Sequence, residues 1–226
     1  NIIKLLKKIN LKNISIENKG KKYFSPRTIK ELKKVIKKNS NSHFLSGGTD
    51  LSLIVTKEKK DINNIINLQD IDELNFIKEK NNNIEVGAAT PLIKFERFIL
   101  KYYPDFNSVL KRYGSVQIRN VCTIGGNIAT ASPIGDTLPI LLSLNSEIVI
   151  ETTKNKKILP LKNFFLSYRK TKLKKGEFIY SIKIPIYKNN VFKAYKISKR
   201  FDDDISSLCA SFNLEIVNKK IKKAII

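Results

Sequence analysis

Two glycine-rich segments carry the residue types most suited to chemistry in this chain. The first reads FLSGGTDL at residues 44–51, and the second reads QIRNVCTIGGNIATASPIGD at residues 117–136. Adjacent glycines let a backbone come close to a bulky group, because they lack a Cβ atom and tolerate positive φ. Exposed amides in such a turn, with Ser and Thr hydroxyls nearby, form a concave site for phosphate. Two such segments predict a dinucleotide ligand, and Asp136 could accept hydrogen bonds from sugar hydroxyls.

Neither glycine segment fits a common nucleotide-binding pattern. The first lacks the lysine of the P-loop, and TIGGNIAT in the second does not supply the GxGxxG spacing of a Rossmann fold. From residue chemistry alone, each segment is therefore equally compatible with a ligand loop and with a structural turn.

The elements that must position these segments are short and mixed. A helix is predicted over Thr28–Lys38, with Ser25 as its N-cap, and a short buried strand then leads into the first glycine segment, with residues 51–55 continuing from it. A helix over Asp105–Tyr113 precedes the second segment, and a helix over Asp136–Leu144 follows it. Strands and helices without strict alternation predict an α+β fold.

The composition is typical of a soluble globular protein, with 42% hydrophobic and 28% charged residues among 226. No apolar run approaches the roughly 20 residues that a membrane span needs, and the N-terminal segment lacks the features of a signal peptide. Two cysteines, Cys122 and Cys209, fit a reducing cytoplasm and are too few for an iron–sulfur or zinc site within this chain.

The formal net charge of +23 raises a basic nucleic-acid-binding module as an alternative. However, few of the basic residues are arginines, and the lysines are scattered along the chain instead of forming a stripe interleaved with aromatic residues. A solvated lysine-rich surface accounts for this pattern equally well, so no nucleic-acid partner is expected. Steep salt dependence of DNA binding would support the alternative.

Longer stretches around the glycine segments resemble a known family. FLSGGTDLSLIVTK and QIRNVCTIGGNIATASPIGDTLPILLSL are similar to the two FAD-binding motifs of the molybdenum hydroxylase flavoproteins. YRKTKLKKGEFIYSIKIP and YKISKRFDDDISSLCASFNL further resemble the bacterial xanthine dehydrogenase small subunit. The resemblance implies a two-part α+β FAD-binding domain of the vanillyl-alcohol-oxidase, or PCMH, type, and it runs from Tyr23 onward.

The resemblance also implies roles for individual residues. Backbone amides of the first segment would hold the FAD pyrophosphate, assisted by Thr49 and Asp50, and Asp136 would bind the adenosine ribose. Tyr113 would lie against the isoalloxazine ring, Lys196 beside its pyrimidine edge, and Leu173 near the adenine. The full set of implied FAD-binding residues is Leu45, Ser46, Gly47, Gly48, Thr49, Asp50, Leu51, Tyr113, Thr123, Gly126, Asn127, Thr130, Asp136, Leu173 and Lys196.

The implied activity is electron transfer within a xanthine dehydrogenase-like enzyme. Electrons from purine oxidation at molybdenum would pass through [2Fe–2S] clusters to FAD and then to NAD⁺. The clusters would lie on a missing domain, and the molybdopterin on a larger partner subunit of a hetero-oligomer. No catalytic or metal-binding residue is implied here, and the flavin subunit of a carbon monoxide dehydrogenase or hydroxybenzoyl-CoA reductase is the alternative within the family.

The same resemblance implies a division of the chain into domains. Residues 1–20 would be a linker from an upstream iron–sulfur domain, and residues 21–187 the FAD-binding domain, with subdomains at about 21–75 and 76–187. Residues 188–226 would begin a truncated C-terminal domain. A fragment with these limits is expected to be unable to hydroxylate a purine by itself.

Overall fold

A computed structural model describes residue 2 and residues 12–226 of the chain. The strands in chain order are β1 Ile14–Asn18, β2 Lys21–Ser25, β3 His43–Leu45, β4 Asn64–Asn67, β5 Ile77–Lys80, β6 Asn83–Gly87, β7 Glu147–Glu151, β8 Lys156–Pro160, β9 Phe165–Ser167, β10 Lys170–Thr171, β11 Phe178–Pro185, β12 Asn190–Ile197, β13 Leu208–Val217 and β14 Lys220–Ile225. The α-helices are α1 Ile29–Lys38, α2 Ser52–Thr56, α3 Leu92–Ile99, α4 Pro104–Lys111, α5 Val116–Val121, α6 Ile124–Thr130 and α7 Thr137–Ser143.

The first part of the fold is a four-stranded sheet covered by α1. Its strand order is β1-β2-β4-β3, with β4 parallel to both of its neighbours. Helix α1 buries Ile29, Leu32 and Ile36, which recur at the spacing of one helical face. These side chains pack with Ile66 of β4 and with Phe178 of β11, so the small sheet and the next sheet share one apolar cluster.

The start of α1 differs from the sequence-based prediction. Thr28, not Ser25, is the N-cap, because the Thr28 side chain accepts a hydrogen bond from the amide of Glu31. The Ser25 hydroxyl is buried at the end of β2 and donates to Asp70 Oδ2 at 2.7 Å. Its partner lies 45 residues away in sequence, which the local pattern does not reveal.

Part of the predicted linker at residues 1–20 lies in the small sheet. Residues 1 and 3–11 are outside the described residues, but Ile14–Asn18 form β1, which pairs with β2 in antiparallel register. All five residues of β1 are exposed, although Ile14 and Ile16 alternate with polar residues as they would in a half-buried strand. The limits of the predicted domains otherwise stay a prediction.

The second part of the fold is an antiparallel five-stranded sheet with the order β5-β6-β11-β7-β8. Helices α3, α4, α6 and α7 pack with this sheet in the larger apolar core, whose fully buried members include Phe95, Phe106, Ile128, Leu141 and Ile182. A third sheet, β12-β13-β14, follows in sequence. Its middle strand contacts α7 through a hydrogen bond of 2.6 Å between the Ser143 and Ser211 hydroxyls.

The secondary structure of both glycine segments was predicted incorrectly in part. Residues 51–55 do not continue as a strand, because Ser52–Thr56 form the short helix α2. The second segment is not an open turn but contains α5 and α6, which are capped by the side chains of Ser115 and Thr123. The predicted α+β class is confirmed, since helices and mainly antiparallel sheets occupy separate layers.

Candidate functional site

A cavity of about 750 Å³ lies where the small sheet meets the larger core. Both glycine segments open onto it, together with the turn after α4, strand β12 and the loop that follows β12. Every FAD-binding residue predicted from the sequence lines this cavity except Leu45, whose side chain packs beneath Gly48. The fold therefore brings together residues that are up to 150 positions apart in sequence.

The first glycine segment follows directly from β3. A Cβ atom on Gly47 would lie 2.3 Å from the carbonyl oxygen of Val121, so this glycine permits close approach of the segment to the end of α5. Gly48 has a φ of +72°, and a Cβ atom there would meet only Leu45 within 4 Å. The first glycine thus serves packing against the protein, and the second leaves space at the cavity wall.

Ser46 supplies an uncommitted polar atom at this wall. Its Oγ atom is buried and has no hydrogen-bond partner among the residues that the structure describes. Buried hydroxyls are nearly always hydrogen-bonded in proteins, and exceptions mark functional positions or places where a ligand binds. Ser46 lines the cavity, so its hydroxyl is available to a polar group of a ligand.

The second glycine pair lies in helix α6, and again one glycine permits packing against the protein while the other leaves space at the cavity. A Cβ atom on Gly125 would lie 2.5 Å from the Ala88 side chain, so Gly125 lets α6 pack against the chain beyond β6. Gly126 meets only the Thr123 hydroxyl at 2.9 Å and otherwise faces open space. The Thr123 hydroxyl caps α6 by accepting the Gly126 amide, and the Thr130 hydroxyl donates to the Gly126 carbonyl.

Tyr113 contributes an aromatic ring with a fixed hydroxyl. The Asn127 amide donates to the Tyr113 Oη atom at 2.8 Å, and the Thr137 hydroxyl donates to Asn127 Oδ1. Burial and, to a smaller extent, the electrostatic effects of Cys122 and Asp136 raise the pKa of Tyr113 to about 12. Tyr113 is therefore a neutral phenol at neutral pH, and the Asn127 side chain orients it.

Asp136 and Lys196 form a buried ion pair at the cavity. The Lys196 ammonium lies 2.7 Å from Asp136 Oδ2, and both side chains are less than 5% exposed. Lys196 also donates to the Ser206 hydroxyl and to the carbonyl of Asp204, and Ser206 donates to the second Asp136 oxygen. All polar atoms of the pair are thus satisfied, as a buried pair requires.

This ion pair involves two residues with different implied roles. The resemblance places Asp136 at the adenosine ribose and Lys196 at the pyrimidine edge of the flavin, and the structure brings the two side chains into contact. In an extended FAD, the pyrophosphate and the ribityl chain separate these two ends. Both roles stay predictions.

The loop after β12 closes one side of the cavity. Asp203, Asp204 and Ile205 line the cavity from this loop. Arg112 holds the loop by donating to the carbonyls of Lys196 and Phe201 and to the Ser198 hydroxyl, at 2.6, 2.9 and 2.9 Å. Two of the three consecutive aspartates at residues 202–204 are therefore part of the cavity wall.

Several cavity residues were not predicted from the sequence. Arg169, in the turn between β9 and β10, reaches Asp50 of the first glycine segment with a distance of 3.2 Å between Nη2 and Oδ1. Other cavity residues outside the predicted set are Phe44, Leu53, Leu68, Ala88, Ala89, Gly114, Ser115, Ile118, Cys122, Gly125, Ala129, Ser132, Ile134, Gly135, Glu177, Phe178 and Ile179. The YRKT motif contains Arg169 and was the one available signal for it.

The comparisons with known proteins agree with this site. Residues 15–187 match the family described as FAD binding domain in molybdopterin dehydrogenase. The chain belongs to this family. The match includes both glycine segments and the Tyr113 turn, and it ends before β12, so Lys196 and the loop after it lie outside it.

Curated relatives include xanthine dehydrogenases and a nicotinate hydroxylase, and this chain covers only a small part of their length. The chain is 29% identical over 222 residues to the xanthine dehydrogenase of Emericella nidulans, and 31% identical over 226 residues to that of Blastobotrys adeninivorans. The alignments cover 92% and 93% of this chain but only 16% of each relative. The chain thus corresponds to about one sixth of these enzymes.

Solved structures support the fold. The Cu,Mo-CO dehydrogenase in its cyanide-inactivated form superposes with a TM-score of 0.82 at 22% identity, over 89% of this chain and 72% of that chain. Quinoline 2-oxidoreductase from Pseudomonas putida 86 gives a TM-score of 0.83 at 19% identity, over 92% and 73%. These likenesses confirm the predicted FAD-domain fold of the molybdenum hydroxylases.

The residues of the cavity fit FAD. The orphaned Ser46 hydroxyl and the open sides of Gly48 and Gly126 suit a ligand with phosphate oxygens that needs close backbone approach. The volume lies within the usual range for cofactor cavities. Among the described residues, no helix is both long and apolar enough to cross a membrane.

Proposed function

We propose that this chain is the FAD-binding electron-transfer part of a xanthine dehydrogenase-like molybdenum hydroxylase. The observation that carries the proposal is the convergence on one cavity of Tyr113, the Asp136–Lys196 pair and both glycine segments. The names of the curated relatives support a purine as the substrate of the whole enzyme. When bound, FAD would take up electrons from iron–sulfur clusters and deliver hydride to NAD⁺.

The glycine segments would hold the pyrophosphate. The buried Ser46 hydroxyl would donate to a phosphate oxygen, and the amides around Gly48 would complete the site with Thr49. Gly126 and Thr130 would lie against the phosphate and ribityl region, where the absence of a Cβ on Gly126 leaves room. Leu51, at the end of the first segment, would contact the same part of the ligand, and Leu173 would lie near the adenine.

Tyr113, Asn127, Asp136 and Lys196 would serve the flavin end. The neutral Tyr113 ring would pack on the isoalloxazine, because an aromatic face stacks on another large apolar face. Asn127 would act on the flavin indirectly, through its hydrogen bond to Tyr113. The Lys196 ammonium would favour the anionic reduced ring, and Asp136 would fix the position of that ammonium.

The loop at residues 198–205 would form the approach for NAD⁺. It lies on the Lys196 side of the cavity and is held by Arg112. The remaining components of the enzyme would be supplied by other domains or subunits: [2Fe–2S] clusters, molybdopterin and the purine site. We propose a hetero-oligomer in the cytoplasm, with the molybdopterin-binding subunit as the partner, and the small subunit of a bacterial enzyme as the origin of this chain.

The choice of NAD⁺ can be tested with the FAD-loaded chain. FAD is reduced anaerobically with light and a sacrificial donor, and its reoxidation is followed at 450 nm after mixing with NAD⁺ or with O₂. The proposal expects stoichiometric NADH from NAD⁺. Reoxidation by O₂ alone, with flavin otherwise bound normally, would contradict the NAD⁺ assignment while leaving the FAD site intact.

A further inference from the structure

The turn that carries Tyr113 is held from beneath by a buried arginine. Tyr113 and Gly114 connect α4 to α5, and Gly114 has a φ of +52°. The Arg119 Nη1 atom donates to both of their carbonyls, at 3.2 Å for Tyr113 and 2.8 Å for Gly114. One guanidinium nitrogen therefore fixes two consecutive peptide units of the turn, Tyr113–Gly114 and Gly114–Ser115.

Arg119 is itself fixed by a buried carboxylate. Its Nε atom donates to Glu96 Oε2 at 2.9 Å, and both side chains are less than 10% exposed. Glu96 belongs to α3, where its carbonyl accepts a hydrogen bond from the Asn107 side chain of α4 at 2.7 Å. The Arg119 guanidinium is thus anchored to helices α3 and α4 of the larger core.

The Tyr113 residue is consequently held at both ends. Arg119 holds the main chain, and Asn127 holds the hydroxyl at 2.8 Å. A ring fixed at its backbone and at its far end has little freedom to rotate or to shift along the cavity wall. Neither Arg119 nor Glu96 is among the residues that line the cavity, so an effect on a ligand must pass through Tyr113 and its turn.

We propose that Arg119, anchored by Glu96, is a positioning residue that sets the place of the Tyr113 ring against the flavin. This inference rests on the proposed function, because it requires FAD in the cavity. A guanidinium suits the task, since its planar fork presents several donors in fixed directions, whereas an ammonium is a compact point charge.

The decisive variant is Arg119→Lys. It keeps a positive charge beside Glu96, which avoids an unpaired buried carboxylate, but one ammonium cannot reproduce the fork to Glu96 and to two carbonyls. We expect the dissociation constant for FAD to rise about tenfold, a typical coupling between residues in contact. We also expect weaker quenching of flavin fluorescence, because the Tyr113 ring no longer holds its place against the isoalloxazine.

A double-mutant cycle with Tyr113→Leu separates positioning from general destabilisation. If Arg119 acts through the ring, Arg119→Lys changes FAD affinity about tenfold in the parent chain and less than about twofold in the Tyr113→Leu chain. If Arg119→Lys changes the FAD affinity by the same factor in the parent chain and in the Tyr113→Leu chain, the proposal is overturned. Glu151→Gln is the matched control: it disturbs another buried carboxylate, one that pairs with Lys33 outside the cavity, and must leave the flavin fluorescence unchanged.

Two further measurements keep the outcomes distinct. If Arg119→Lys does not fold, the pair Glu96→Leu with Arg119→Met replaces both charges by apolar groups, a change that folded proteins often tolerate; it must show the same loss of quenching. Normal quenching in that variant would overturn the proposal. Failure of the parent chain itself to retain FAD would instead refute the proposed function, and with it this inference.

Discussion

At the scale of single residues, the two glycines of each pair have different surroundings, and the difference is the same in both pairs. In each pair the first glycine, Gly47 or Gly125, touches the protein backbone or a side chain, and the second, Gly48 or Gly126, borders open space in the cavity. The sequence showed that both pairs permit close approach. It could not show what approaches which glycine, because that depends on Val121 and Ala88, which other elements bring there.

Valine substitutions at Gly125 and Gly126 should therefore have different effects, the first on the stability of the fold and the second on FAD binding. Gly125→Val places a Cβ atom 2.5 Å from Ala88 and should lower the free energy of unfolding by about 1–3 kcal/mol even without ligand. Gly126→Val meets only the Thr123 hydroxyl, and should keep the fold while lowering FAD affinity about tenfold or more. Urea unfolding and FAD titration of both variants check this, and a reversed pattern would contradict the assignment.

The buried phenol of Tyr113 should make stability depend on alkaline pH. Its pKa is raised to about 12 by burial, whereas an exposed tyrosine in the unfolded chain titrates near pH 10. Between these values the unfolded chain loses the proton and the folded chain keeps it, so the free energy of unfolding falls as pH rises. Tyr113→Phe should make this fall less steep, and Tyr168→Phe, at an exposed tyrosine, should not. The fall that remains comes from Tyr103, Cys122 and Cys209, whose pKa values burial also raises to about 12. Identical pH profiles for the two variants would contradict the account.

At the scale of elements, a buried ion pair joins the third sheet to the core. Lys196 lies on β12, and Asp136 immediately precedes α7. The Ser143–Ser211 bond and a bond of 3.0 Å from the Asn213 side chain to the Ser143 carbonyl connect β13 to the same helix. Asp136 and Lys196 are therefore brought together by the docking of this sheet on α7.

Breaking the ion pair from one side should destabilise that docking. Lys196→Met leaves Asp136 buried without its cation, and we expect a loss of about 3–5 kcal/mol in the free energy of unfolding. The double variant Asp136→Leu with Lys196→Met should recover most of it, because no charge remains unpaired. Denaturant unfolding measures both variants. A loss below about 1 kcal/mol in the single variant, the size expected of an exposed pair, would contradict the burial of this contact.

The elements also show which helices can be predicted from the sequence. Helix α1 was predicted because its apolar residues recur on one face, and its end at Lys38 was predicted correctly. Helices α5 and α6 were missed, because each has fewer than eight residues and the two glycines of α6 are typical of turns. The side chains of Ser115 and Thr123 were the signals that could have found them, since both residue types are favoured N-caps.

At the scale of the whole molecule, the cavity is formed by parts that are distant in sequence. The first glycine segment comes from the small sheet, the second from the helices of the larger core, and Lys196 from the third sheet. The predicted site residues came from resemblance to a family, and the structure gathers nearly all of them. The contact between Asp136 and Lys196, and the support of the Tyr113 turn by Arg119, depend on tertiary packing and have no local pattern.

The most direct test of the account is the visible spectrum of the purified chain after incubation with FAD and desalting. We predict retained flavin bands near 375 and 450 nm, about one FAD per chain, and loss of those bands in Gly126→Val. A chain that unfolds cooperatively, and is therefore folded, but retains no flavin would contradict the claim that this cavity binds FAD.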